Sequence, residues 1–114
     1  MASQKLRMTP AIMHLLLSLA EGESHGYALL SDMDRRSRGA VNLGPSSLYY
    51  TLGRLADHGL IEEAEGPGAS DEPHAEQRRY FRMTDVGREW LESELGVLTD
   101  IVDQARALGL RAEH

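Results

Sequence analysis

Toward the end of the chain the apolar residues fall at Leu91, Leu95, Leu98, Val102 and Ala105. Steps of four, three, four and three trace a helical contact stripe that repeats every seven residues. Ile101 and Leu108 widen the stripe on one flank, and Glu92, Glu94, Asp100 and Asp103 border it with charge. Thr84 is of the type that caps a helix start, and Asp85 after it suits the positive end of the helix dipole. A helix from Thr84 to Leu108 is then roughly 37 Å long at the standard rise. A chain of 114 residues forms one domain, and a lone domain of that size buries a modest core. Its remainder cannot cover so long a stripe. Leu91, Leu95, Leu98, Ile101, Val102 and Ala105 are therefore candidate dimerisation residues, with a second copy as the simplest partner. The competing reading folds this helix back on its own domain.

Three shorter helices are expected before it. Thr9-Pro10 is a cap followed by a first-turn proline, and Ile12, Leu15, Leu16 and Leu19 trace one apolar face up to Glu21-Gly22. Ser24 opens a second helix that ends near Arg36-Ser37, with Tyr27, Leu30 and either Met33 or Ala28 facing inward. His25 is read as a cap or packing residue. Gly44 and Pro45 start a third helix, Leu48, Leu52 and Leu55 mark its inner face, and Gly59 stops it. Its opposite face carries Ser46, Ser47, Tyr50, Thr51 and Arg54. Hydroxyls, a phenol and a guanidinium on one face suit phosphates and base edges; a merely solvated face is the bland alternative.

After the third helix come Leu60 to Glu65, a polar Gly- and Pro-rich loop over residues 66–77, and the alternating run Arg78 to Met83. Phe81 and Met83 share one side of that run; Arg78, Tyr80 and Arg82 share the other. Two short strands joined by a loop make a β-hairpin. Asp71, Glu72 and Glu76 make the loop tip a poor phosphate binder, so Arg78 and Arg79 at the strand start are the better candidates.

The formal charge of −6 argues against a generic nucleic-acid binder. The distribution of that charge points the other way. Residues 1–60 hold six basic side chains against five acidic ones, and residues 61–114 hold six against thirteen. Arg35, Arg36 and Arg38 gather just before the third helix, either as a phosphate clamp or as a solvated run. Lys5 and Arg7 read as a disordered start or as a basic arm. Local field, not net charge, governs contact with DNA.

The chain has no cysteine, which removes disulfides and thiolate metal sites and fits a cytoplasmic protein. No apolar run reaches the length of a membrane span, and no signal-peptide pattern opens the chain. Neither a phosphate loop, a nucleophile elbow nor a His-Glu-x-x-His motif occurs. The five histidines lack ligand spacing. No enzyme, cofactor or metal is expected.

Four separated pieces resemble one family. They are His25-Gly26-Tyr27, the stretch from Ser46-Ser47-Leu48-Tyr49 through Arg54-Leu55 to Gly59-Leu60-Ile61, Arg79-Tyr80-Phe81-Arg82-Met83-Thr84, and Gly87. Together they resemble PadR-type transcriptional regulators of the short subgroup, over about Thr9 to Leu108. Ser46 stands where that pattern usually has Gly, and Tyr50 where it often has Pro. The resemblance implies a mainly α fold with a small β-hairpin: a winged helix-turn-helix over 1–83 and a dimerisation helix over 84–114. It implies a homodimeric regulator, most often a repressor, on a palindromic double-stranded operator. Ser46, Ser47, Tyr50 and Thr51 would face base edges. Tyr49 and Arg54 would reach phosphates, with a core position open for Tyr49. It also implies room for a small-molecule effector acting through the angle between the wings. In short members that bind flat aromatic drugs a Trp sits mid-way along the last helix; Leu98 stands there here, and Trp90, two turns earlier, is expected to pack on the domain body. The rival reading is a winged-helix protein-interaction module without sequence-specific DNA binding.

Overall fold

Helix α1 (Pro10–Ala20) starts where Thr9 accepts from the Ile12 N–H at 3.1 Å, and Pro10 supplies a preset backbone angle in the first turn. The structure is a computed structural model and describes residues 6–66 and 78–113. Strand β1 (Ser24–His25) follows, then α2 (Gly26–Arg36), α3 (Pro45–Asp57), β2 (Ile61–Ala64), β3 (Tyr80–Met83) and α4 (Asp85–Ala107). The loop 67–77, with the acidic tip, and Lys5 lie outside the described residues.

The core is a single cluster. Ile12, Leu15, Leu16 and Leu19 of α1 meet Leu29 and Met33 of α2, Leu48, Leu52 and Leu55 of α3, then Ile61, Phe81 and Leu91. The inward faces of α1 and α3 are those their spacing predicts. Helix α2 is rotated from expectation. Gly26, Leu29 and Met33 face inward and Leu30 is half-buried, whereas Tyr27 is 83% exposed and Ala28 is also outside. A helix turns about 100° per residue, so once Gly26 is buried Tyr27 swings out.

The sheet is antiparallel in the order β1-β3-β2. The hairpin strands β2 and β3 match expectation, and β1 adds to it. It pairs Ser24 with Phe81 and His25 with Tyr80, and so ties the start of α2 to the hairpin. Glu62 lies opposite Arg82 in the register and accepts from its Nε at 2.6 Å, a cross-strand charge pair of the kind that fixes pairing.

Helix α3 ends at a C-cap His58, with Gly59 at φ 73° supplying the left-handed residue after it. Leu60 then donates back to the Leu55 carbonyl at 3.0 Å. The start of α4 is locked to this corner. Thr84 Oγ1 accepts from the Gly87 N–H at 3.0 Å and donates to the Gly59 carbonyl at 2.6 Å, and Thr84 N–H donates to the Leu60 carbonyl at 3.1 Å. Trp90 is half-buried against the core, as its spacing predicts.

Asp32 on α2 gathers Arg35 and Arg36, and Arg36 also reaches Glu21 at the end of α1. Burial pushes the Asp32 carboxyl up, but hydrogen bonds from Arg36, Ser18 and Arg35 outweigh it and lower its pKa from 3.8 to about 2. A carboxylate depressed in the folded state contributes stability above its unfolded pKa and loses it as pH falls toward the folded value. The window here is from 3.8 down to about 2. Asp32→Asn is expected to cost on the order of 1–2 kcal/mol at neutral pH and to flatten the stability curve in that window. Urea unfolding at a series of pH values measures both.

Candidate nucleic-acid interface

Helix α3 buries one face and presents the other. Ser46 and Ser47 in its first turn are exposed, Tyr50 is 69% exposed, and Thr51 and Arg54 are half-buried behind them. Thr51 Oγ1 donates to the Ser47 carbonyl at 2.9 Å, so its hydrogen is directed along the helix and its lone pairs face outward as acceptors. Tyr49 is 43% exposed. Its hydroxyl lies over Gly26, where a Cβ would come within 2.5 Å of it. Tyr49 is thus neither core nor a free surface residue; it bridges α3 to the start of α2.

The segment between α2 and α3 is shaped by buried Ser37, whose Oγ accepts from the Val41 N–H at 2.8 Å. Arg35 and Arg36 occupy the last turn of α2, where cations suit the dipole. Both are drawn into the ion pairs with Asp32, and Arg36 with Glu21 as well. Arg38 is exposed in the left-handed region at φ 55°. These three arginines therefore differ in kind: two are held by carboxylates of this chain, and the third extends from a turn.

On the hairpin, Arg79 pairs with Glu63 at 2.5 Å and its guanidinium carbon lies 5.2 Å from the Phe81 ring centre. Arg78 comes beside His25, Nη1 to Nε2, at 3.5 Å. His25 caps α2, its Nδ1 accepting from the Ala28 N–H at 3.3 Å. So the fold brings Tyr27, Tyr49, Arg78 and Arg79 around one recess, beside the exposed face of α3. Tyr27 at this surface is not foreseen from the sequence. The signal for it is the inward phase of Gly26, Leu29 and Met33, three and four residues apart.

The α4 stripe emerges from the core along its length. Leu91 is buried and Leu95 half-buried, while Leu98 is 44% and Ile101 53% exposed, with Val102 and Ala105 half-buried beyond. Between α4 and α1 lies an apolar groove of about 360 Å³, lined by Met8, Met13, Leu17, Val97 and Leu98 among others. Among the described residues no helix is long and apolar enough to cross a membrane, and no group of His, Asp or Glu is placed to hold a metal ion.

Residues 15–93 match the model of the transcriptional regulator PadR-like family. The chain belongs to that family. The matched span runs from α1 through the first third of α4, and so takes in the exposed α3 face and the hairpin. A 37.1 kDa protein in transposon TN4556 of Streptomyces fradiae is 37% identical over 89 residues, 78% of this PadR-like chain and 23% of that protein. The chain thus spans about a quarter of that relative's length. A PadR-like transcriptional regulator from Bacillus cereus superposes with a TM-score of 0.69 at 23% identity, over 90% of this chain and 94% of that one. Bacillus subtilis PadR, solved in complex with operator DNA, gives 0.59 at 23% identity, over 73% and 44%. These two likenesses show the fold: a mainly helical PadR winged helix with a long last helix.

Proposed function

We propose that this PadR-like chain is a cytoplasmic homodimeric repressor that binds a palindromic DNA operator. In this reading residues 1–83 form the DNA-binding unit and 84–114 the dimerisation helix. One observation carries it: α3 shows a continuous polar face of Ser46, Ser47, Tyr50 and Thr51 backed by Arg54, while α4 leaves an apolar stripe uncovered by its own chain. The solved likeness of Bacillus subtilis PadR with operator DNA supports the same use of the fold.

Two α3 helices related by a two-fold axis enter successive major grooves about 34 Å apart. The serine, threonine and tyrosine hydroxyls donate to or accept from base edges, and Arg54 and Arg38 meet phosphates. The regulator acts by occupying DNA and catalyses no reaction. An effector binding between the last helices would change the separation of the α3 pair and so the affinity.

Selection of bound fragments from genomic DNA tests the reading: recovery of a palindromic site, bound in a salt-sensitive way, is expected. Binding to protein partners with no selected DNA would favour the interaction-module reading instead. Arg54 gives a sharper measurement on the same site. Arg54→Ala is expected to weaken operator binding and lower the slope of log affinity against log salt by about one, the loss of one phosphate contact per subunit. A mobility-shift titration over a salt series reads it.

A further inference from the structure

The recess beside α3 is rich in donors. It measures about 230 Å³ and is lined by His25, Gly26, Tyr27, Tyr49, Arg78 and Arg79. Every side chain there ends in a hydrogen-bond donor: an imidazole, two phenols and two guanidinium groups. The cap defines the imidazole. Because Nδ1 accepts from the Ala28 N–H, the ring hydrogen sits on Nε2. The Tyr80 ring, edge-on at 5.2 Å, holds that orientation. Arg78 Nη1, which only donates, lies 3.5 Å from the same Nε2. Two donors directed at one space are complementary to an acceptor.

Charge and size narrow the acceptor. Two guanidinium groups border the recess and Glu63 pairs with one of them, at Arg79. The first turn of α2, an 11-residue helix, adds the positive end of its dipole. The volume is below the range of about 300 Å³ and above in which drug-sized ligands bind. A single anionic group fits that description better than an effector does. Tyr49 belongs both to the recess and to α3, next to Tyr50 on the exposed face.

We propose that this recess seats one phosphodiester of the DNA backbone at the edge of the groove that α3 enters. The hydroxyls of Tyr27 and Tyr49 and the guanidinium of Arg78 donate to its oxygens. Exposure of Tyr27 at the head of α2 then has a purpose: it is a positioning contact that sets the register of α3 without reading sequence. The inference rests on the duplex binding proposed above.

The test uses the full chain, with Tyr27→Phe and Arg78→Gln compared on the selected operator and on random duplex of equal length, over a salt series. Tyr27→Phe removes a neutral donor, so it is expected to weaken binding about tenfold on both duplexes with the salt slope unchanged. Arg78→Gln removes a cation, so it is expected to weaken both and to lower the slope by about one. Wild-type affinity in both variants overturns the phosphate seat while leaving operator binding intact. Loss confined to the operator also overturns it, because that marks base reading. Loss of inorganic phosphate binding, read by chemical shift, with duplex binding unchanged assigns the recess to free phosphate and overturns it too. A wild-type chain that binds no duplex removes both proposals at once.

Discussion

Leu98→Arg is expected to yield a monomer, or an unfolded chain, with only weak and non-specific affinity for DNA. Leu98 is 44% exposed in the single chain and borders the groove between α1 and α4, next to Val97 and opposite Met13 and Leu17. In the proposed dimer it is covered by the second copy. An arginine there places one unpaired charge per chain in an apolar seam, or two facing each other across the axis. Burying an unpaired charge costs several kcal/mol, a large part of the roughly 5–15 kcal/mol that holds a small domain folded. The residue lies away from α3, so a direct effect on DNA is not expected. Operator affinity falls because one α3 reads one half-site, and the second half-site is engaged only through the dimer. Sedimentation and a mobility shift on the same sample measure both. A variant that remains a dimer with unchanged operator affinity places the contact elsewhere.

Gly87→Ala is the second large effect. Gly87 lies in the first turn of α4, and a Cβ built there runs into the Leu60 carbonyl oxygen, well inside contact distance, and into Met83 Cγ at 3.1 Å. A flexible side-chain end could move aside. The Leu60 carbonyl cannot do so freely, because it accepts from the Thr84 N–H at 3.1 Å, and Thr84 Oγ1 holds the Gly59 carbonyl at 2.6 Å. Relief requires α4 to tilt away from the corner where α3 ends. Overpacking of this kind costs roughly 1–3 kcal/mol, and the lost hydrogen bonds add to it. The tilt also changes where two α3 helices sit relative to each other across a dimer. Thermal unfolding is expected to show a midpoint lowered by several degrees, with operator affinity reduced by more than non-specific affinity. Equal melting of variant and wild type would show that the corner yields without cost.

What is legible in the sequence is local. Thr9 and Thr84 cap their helices because the hydroxyl needs only the next turn of backbone. Leu48, Leu52 and Leu55 face inward because four- and three-residue steps define a helical side. What escapes it depends on distant chain. Strand β1 has two residues, too few to show alternation, and exists because β3 offers an edge to Ser24 and His25. Tyr27 is expected in the core from sequence, since Tyr-Ala-Leu-Leu supports more than one helical phase. Burial of Gly26 beneath Tyr49 fixes the phase and turns Tyr27 outward. The candidate DNA face of α3 is readable as one side of a helix. The commitment of Arg36 to Glu21, fifteen positions away, is not.

The most direct measurement is a footprint of the full chain on its selected operator, with wild type and Leu98→Arg side by side. For the wild type, two protected major-groove patches related by two-fold symmetry are expected, about 34 Å apart centre to centre. For the variant, no discrete protection is expected. A single unsymmetrical patch, or equal protection by both proteins, would contradict a dimer that reads two half-sites through α3.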